Sequence, residues 1–146
     1  MNREKYLERA ANLFRKSMFV CNGFKKIDKP DQVGSLELPV HNDEVRALYF
    51  NEVGSREDLI VFSVDEIWCL NKCGDRSIPY FAVAEVKGAA SKSEMDTSEI
   101  EICLKDGTTE RIPIRGGQNG FRDFFAMQTG LMNLVRLNSE YQANCS

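Results

Sequence analysis

The most constraining feature of this 146-residue chain is a series of short apolar segments between residues 58 and 114, followed by one amphipathic segment at about 120–137. Each short segment has the length of a strand and is bounded by turn-forming residues. The last segment repeats its apolar residues at helical spacing. This order predicts an α+β domain in which a small, curved antiparallel sheet or barrel is closed by a C-terminal helix.

The strands are predicted from runs of apolar and β-branched residues. Residues 45–53 fit either a strand or a short helix, and we favour a strand. Further strands are expected at 59–64, 67–70 and 78–86. Residues 88–98 are small and polar, so they are predicted to be the longest loop of this region.

The segment 99–115 predicts a hairpin whose register can be specified. A three-residue loop at 105–107, with Gly107 in a left-handed conformation, pairs Ile100 with Ile112 and Glu101 with Arg111. A two-residue loop would instead place apolar residues opposite charged ones. The three-residue loop is therefore favoured.

The C-terminal helix is predicted to pack its broad apolar stripe against the sheet, with Asn119 as its N-cap. The stripe consists of Phe121, Phe124, Phe125, Met127, Leu131, Met132, Leu134 and Val135. Residues 138–146 have no apolar period and are expected to fray.

An additional helix is predicted at the N-terminus, with Asn2 as its N-cap and Asn22-Gly23 at its end. Its apolar stripe is Leu7, Ala10, Ala11, Phe14 and Met18. The residues up to 39 then read as a connector. We expect one structural domain with three parts: the N-terminal helix and linker (1–40), the body (41–137) and a tail (138–146).

Charge is distributed unevenly along the chain. Residues 1–29 carry a net charge of +5, so the remainder carries −8 of the overall −3. A body of that sign repels nucleic acid and anionic lipid and attracts basic proteins, although ordinary solvation also explains it. We expect a protein partner, possibly basic, no nucleic acid, and little binding to membranes. The candidate partner-binding residues are Glu94, Asp96, Glu99 and Glu101.

The composition predicts a soluble, cytoplasmic protein. The N-terminus lacks the apolar core of a signal peptide, and no apolar run approaches the length of a membrane span. The five cysteines have no disulfide-framework spacing, which favours reduced thiols.

Catalytic, metal and cofactor sites find little support. A zinc site made by Cys69, Cys73, Cys103 and His41 is conceivable, but structural thiols are favoured. The glycines between 116 and 120 could hold an anion at a helix N-terminus, although a flexible cap is the favoured interpretation. We expect no enzyme activity, no metal and no cofactor.

The order of these elements resembles the bacterial pleckstrin-homology-like and GRAM-like domains over about 45–137. The resemblance rests on the acidic segment 42–45 before the first strand and on a strand motif formed by Ile78, Pro79, Tyr80, Val83 and Val86. It implies a seven-stranded bent barrel plugged by a C-terminal helix, which serves as a scaffold for binding proteins, peptides or lipid head groups. The basic first loop of the lipid-binding members is replaced here by residues 54–58, so head-group binding there does not carry over.

Three functions follow from these observations. The leading hypothesis is a non-catalytic binding module, most concretely a small acidic protein of the immunity or inhibitor type that occludes a basic effector. The first alternative is a lipid-head-group or membrane-surface adaptor. The second is an enzyme that uses a cysteine or a carboxylate.

Overall fold

The computed structural model describes residues 1–91, 96–115 and 121–145, and it describes the backbone alone at 89–91, 96–98, 121 and 145. Within this part of the chain there are two α-helices and eight strands. They are α1 (Arg3–Ser17), β1 (Phe24–Lys26), β2 (Val45–Tyr49), β3 (Leu59–Ser63), β4 (Glu66–Leu70), β5 (Arg76–Pro79), β6 (Val83–Ser91), β7 (Asp96–Leu104), β8 (Thr109–Pro113) and α2 (Phe121–Cys145). The predicted α+β class is confirmed.

The strands form two antiparallel sheets rather than one barrel. Sheet A has the order β1-β2-β3-β4-β5 and sheet B the order β6-β7-β8, and no ladder joins them in the described residues. Side chains connect them instead. Arg76 of β5 forms an ion pair with Glu110 of β8 and donates to the Arg111 carbonyl at 3.0 Å, while Asn51 Nδ2 donates to the Pro113 carbonyl at 2.9 Å.

Helix α1 begins as predicted. The Asn2 side chain accepts a hydrogen bond from the Lys5 backbone N–H at 2.8 Å, which satisfies one of the unpaired donors of the first turn. The helix ends at Ser17, earlier than expected, and turns lead into β1. Gly23 is required in this connection, because a Cβ there would lie 2.4 Å from the Phe50 carbonyl oxygen.

Strand β3 is buried on both faces, which explains its uninterrupted apolar sequence. Ile60 and Phe62 face the helices and sheet B. Leu59 and Val61 face the opposite side, where they are covered by residues of the segment 27–40. The predicted connector at 24–39 thus contains a strand, β1, and also covers one face of sheet A.

The predicted strand at 78–86 is wrong, since the structure divides it between the two sheets. β5 ends at Pro79, a 3₁₀ turn occupies Tyr80–Ala82, and β6 begins at Val83. Two long-range contacts hold this corner. The Tyr80 hydroxyl donates to the Ser63 carbonyl at 2.7 Å, and Asn138 Nδ2 donates to the Tyr80 carbonyl at 2.8 Å.

Sheet B confirms the predicted hairpin register, with Ile100 opposite Ile112 and Glu101 opposite Arg111. Gly107 has a φ of 89° in the three-residue loop, the left-handed region that glycine enters without strain. The predicted loop at 88–98 is wrong in part, because 88–91 and 96–98 are strand; residues 92–95 lie outside the described residues.

Helix α2 is longer than predicted and uses a narrower apolar face. It continues to Cys145, so the predicted frayed tail is wrong. The buried side chains are Phe124, Met127, Leu131, Leu134 and Leu137, together with the polar Asp123 and Asn138. Phe125 and Met132 were expected in the core, but they are 56% and 50% exposed. The predicted burial of Phe121 concerns a side chain outside the described residues.

The two helices run antiparallel against each other and share one core with both sheets. Tyr6 of α1 reaches Asn138 of α2, with its hydroxyl 2.5 Å from Oδ1. At the other end, a Cβ on Gly130 would lie 2.8 Å from the Phe14 ring and 2.7 Å from the Ser17 hydroxyl oxygen. Glycine at 130 therefore permits the close approach of the helices.

Candidate functional site

The sequence-predicted acidic residues are only partly described by the structure. Glu99 and Glu101 lie half-buried on β7, where they alternate with the buried Ile100 and therefore occupy the outer face of sheet B. Glu101 is directly opposite Arg111, so its charge faces a cation. Glu94 and the side chain of Asp96 lie outside the described residues.

A second acidic group lies at the turn between β3 and β4. The buried Ser63 hydroxyl accepts a hydrogen bond from the Glu66 backbone N–H at 3.0 Å and donates to Asp65 Oδ1 at 3.2 Å. The Tyr80 backbone N–H donates to the Asp65 carbonyl at 3.1 Å. These bonds fix the turn against the Tyr80–Ala82 corner, which brings two adjacent carboxylates beside the residues of that corner.

The environment of this turn disfavours negative charge on Glu66. Burial raises the pKa of the Glu66 carboxyl, and the nearby carboxylates of Asp65 and Glu44 raise it further. No ion pair within the described part of the chain involves any of these three residues. A cation brought to this turn would therefore relieve a repulsion present in the free protein.

Three aromatic rings stand next to these carboxylates. Tyr6 of α1 packs against Tyr141 of α2 with ring centroids 4.4 Å apart, and Phe81 contacts both rings edge-on at 6.0 and 5.6 Å. The Lys105 ammonium group lies over the Phe81 ring, 2.9 Å from its centroid. The aromatic cluster of Tyr6, Phe81 and Tyr141 therefore already binds one cationic side chain of the same protein, that of Lys105.

The carboxylates and the rings line one cleft of about 450 Å³. We call it the acidic–aromatic cleft, formed by Tyr6, Asp65, Glu66, Phe81 and Tyr141, with Arg3, Leu7 and Pro79 completing the wall. A neighbouring cleft of about 430 Å³ shares Leu7 and is lined by two acids, Glu4 and Glu8, and by two arginines, Arg15 and Arg46. The second cleft therefore carries both signs of charge, whereas the acidic–aromatic cleft has two carboxylates and one arginine, Arg3.

The cysteines and the histidine that could form a zinc site do not come together in one cluster. Cys69 is buried on β4, and burial raises its pKa to about 12, so its thiol stays protonated at neutral pH. Cys73 is exposed in a turn, Cys103 lies on β7, and His41 precedes the 3₁₀ turn Asn42–Glu44. The described residues contain no group of three or more His, Cys, Asp or Glu side chains that could hold a metal ion. The glycine segment 116–120 lies outside the described residues.

The residues of the acidic–aromatic cleft were not identified from the sequence. Asp65 and Glu66 read as an ordinary turn, Phe81 as part of a continuous strand, and Tyr141 as part of a frayed tail. Tyr6 lies four residues before Ala10 and so belongs to the apolar stripe of α1. That helical spacing was the one feature of the local sequence that indicated a packed position for any residue of the cleft.

No protein-family model, curated protein or solved structure matches the chain. In the described residues, no helix combines the length and the apolar character needed to cross a membrane. The class that the fold and the cleft define is therefore an α+β protein with two antiparallel sheets, two packed helices and a cleft that joins carboxylates to aromatic rings.

Proposed function

We propose that this protein is a non-catalytic binding module whose acidic–aromatic cleft takes a lysine or arginine side chain of a basic protein partner. One observation carries the proposal: Asp65, Glu66 and three aromatic rings line a single cleft. This makes the leading sequence-based hypothesis more specific and moves the contact from the outer face of sheet B to the cleft.

The cleft supplies what a partly desolvated cation needs. Carboxylates neutralise its charge and accept its hydrogen bonds, and the partly exposed rings of Phe81 and Tyr141 attract it through their quadrupoles. Arginine suits the site especially well, since its planar group stacks on rings and binds carboxylates bidentately. Repulsion between Glu44, Asp65 and Glu66 falls when the cation enters, so part of the binding free energy comes from relief of this repulsion.

We also propose a scaffold for this module. Apart from β1, the described part of the chain has a four-stranded meander (β2–β5), a three-stranded meander (β6–β8) and then a helix. That order supports a pleckstrin-homology-like scaffold, in which α2 packs over the open side of the two sheets. Phe124 and Leu131 of α2 share one buried cluster with Ile60 of sheet A and Ile100 of sheet B.

The two alternatives receive less support. Head-group binding at the first loop needs available basic side chains, but Arg56 is paired with Asp75 at 2.7 Å and donates to the Glu37 carbonyl. An enzyme with Cys69 as nucleophile would need its thiolate, and the raised pKa keeps that group protonated. An inhibitor or immunity-type protein that occludes a basic surface remains the concrete form of the proposal.

The test measures binding of a fluorescein-labelled oligo-arginine peptide by fluorescence anisotropy. The double variant Asp65→Asn/Glu66→Gln should bind about tenfold more weakly, equivalent to about 1.4 kcal/mol. The matched control is Glu99→Gln/Glu101→Gln, which removes the same charge from the outer face of sheet B and should retain most of the affinity.

Two results would refute the proposal. Equal weakening in both double variants would mean that the peptide responds only to net charge. Loss of binding in the Glu99/Glu101 variant alone would return the contact to the strand surface predicted from the sequence.

A further inference from the structure

The outward face of α2 carries two exposed apolar side chains, Phe125 and Met132, which lie two helical turns apart. We call Arg122, Phe125, Thr129, Met132 and Arg136 the outer stripe of α2. Their positions alternate by three and four residues, the repeat by which one helix presents a continuous seam to another. Phe125 and Met132 are 56% and 50% exposed, although the opposite face of the same helix lies in the core.

The turn after α1 adds to this apolar surface. Phe19 is 72% exposed and Val20 is 44% exposed. Burial and the nearby Asp123 carboxylate raise the pKa of the next residue, Cys21, so this turn lies near the first turn of α2. Exposed apolar groups thus occur both on the outward face of α2 and in the turn near its beginning, and such groups mark interaction surfaces where they cluster.

Charge indicates the kind of partner. Arg122 and Arg136 stand at the two ends of the outer stripe and are both exposed, although Arg122 also forms an ion pair with the buried Asp123 at 3.5 Å. Two copies of the chain paired symmetrically about Thr129 would place arginine against arginine, whether the helices ran parallel or antiparallel. A second copy is therefore disfavoured, whereas a partner with acidic residues at both ends of an apolar seam is complementary.

We propose that the outer stripe of α2 is a docking site for an amphipathic helix of a second protein, with apolar residues at three- and four-residue spacing and acidic residues flanking them. This site is independent of the acidic–aromatic cleft, because Tyr141 of the cleft is turned toward α1 and the outer stripe faces away from it. The protein would then join an acidic helix on one surface to a basic segment on another.

The probe is a labelled synthetic helix with leucine at the seam positions and glutamate beside them; the comparison peptide has lysine in place of glutamate. Wild-type protein should bind the glutamate peptide and not the lysine peptide. Arg136→Glu should weaken binding of the glutamate peptide at least tenfold and improve binding of the lysine peptide. Phe125→Ser/Met132→Ser should weaken binding of the glutamate peptide, with an unchanged melting temperature.

The matched control is Val53→Ser, which removes an exposed apolar side chain, 98% accessible, from a turn outside the helices. It should leave peptide binding unchanged. The proposal is overturned if the glutamate peptide fails to bind or binds all variants equally. It is also overturned if vesicles containing phosphatidylserine bind through Phe125 and Met132, or if those two residues hold a dimer in sedimentation experiments.

Discussion

Glu66 is the residue whose ionisation connects the cleft to pH. Burial and neighbouring carboxylates raise the pKa of Glu66 in the folded protein. Ionising Glu66 therefore costs more free energy in the folded protein than in the unfolded chain, which lowers the free energy of unfolding. The cost is absent below the ordinary glutamate pKa, about 4.3, and is fully present once the pH exceeds the raised value.

The expected result is a pH-dependent difference between wild type and Glu66→Gln. As pH rises from acid to neutral, the free energy of unfolding of the wild type should fall relative to that of the variant. Denaturant titrations at several pH values measure this difference. Parallel curves for wild type and Glu66→Gln would contradict the raised pKa.

Phe124 and Phe125 are adjacent residues with opposite environments, which makes them a matched pair. Phe124 is buried at 3% exposure, so Phe124→Ala should lower the free energy of unfolding by about 3 kcal/mol through lost burial and a cavity. Phe125→Ala should cost less than about 1 kcal/mol, because the side chain is more than half exposed. Guanidinium unfolding checks both, and similar losses would refute the orientation of α2.

At the scale of elements, Asn138 connects the last part of α2 to the corner between the sheets. Its side-chain amide donates to the Tyr80 and Val83 carbonyls at 2.8 and 2.9 Å, and the Tyr6 hydroxyl bonds to its Oδ1. Asn138→Ala should lower the free energy of unfolding by about 3 kcal/mol, because buried groups lose their partners.

The neighbouring exposed position gives the control for this prediction. Ser139→Ala should change stability by less than about 0.5 kcal/mol. Hydrogen exchange should also show the last turns of α2 opening more often in Asn138→Ala than in Ser139→Ala. Equal exchange in the two variants would mean that the last turns of α2 do not depend on this amide.

The hairpin β7–β8 could be predicted to the level of register because one constraint sufficed. Buried residues alternate on both strands, and a single loop length aligns Ile100 with Ile112. The break between β5 and β6 could not be predicted in this way. Its apolar pattern is continuous in sequence, and the turn at Tyr80 depends on Ser63 and Asn138, which are 17 and 58 residues away.

The candidate site could not be predicted from the sequence either, because it too depends on contacts between residues distant in the chain. Its five residues come from α1, the β3–β4 turn, the first residue of β4, the 3₁₀ turn Tyr80–Ala82 and α2, and each has an ordinary local role. The predicted glutamates followed from the charge of the body, which does not specify where charges converge. Asp65 and Glu66 become a site only because the corner at Tyr80–Ala82 brings Phe81 to them.

At the scale of the whole molecule, the two proposed surfaces differ in charge. Asp65 and Glu66 line the acidic–aromatic cleft together with Arg3, and Arg122 and Arg136 lie on the outward face of α2. We still predict weak binding to anionic vesicles at physiological salt, because the adsorption of each basic residue contributes only about 1 kcal/mol and is screened. Vesicle flotation checks this, and tight flotation abolished by Lys25→Glu/Lys26→Glu would favour a membrane adaptor instead.

The most direct test of the central claim is a titration of ¹⁵N-labelled protein with an oligo-arginine peptide, followed by backbone amide chemical shifts. We predict that the largest changes occur at Asp65 and Glu66, with further changes at Tyr6, Phe81 and Tyr141, and that they diminish as salt is added. Largest changes at Glu99 and Glu101, or shifts spread evenly over the acidic surface, would contradict the acidic–aromatic cleft as the binding site.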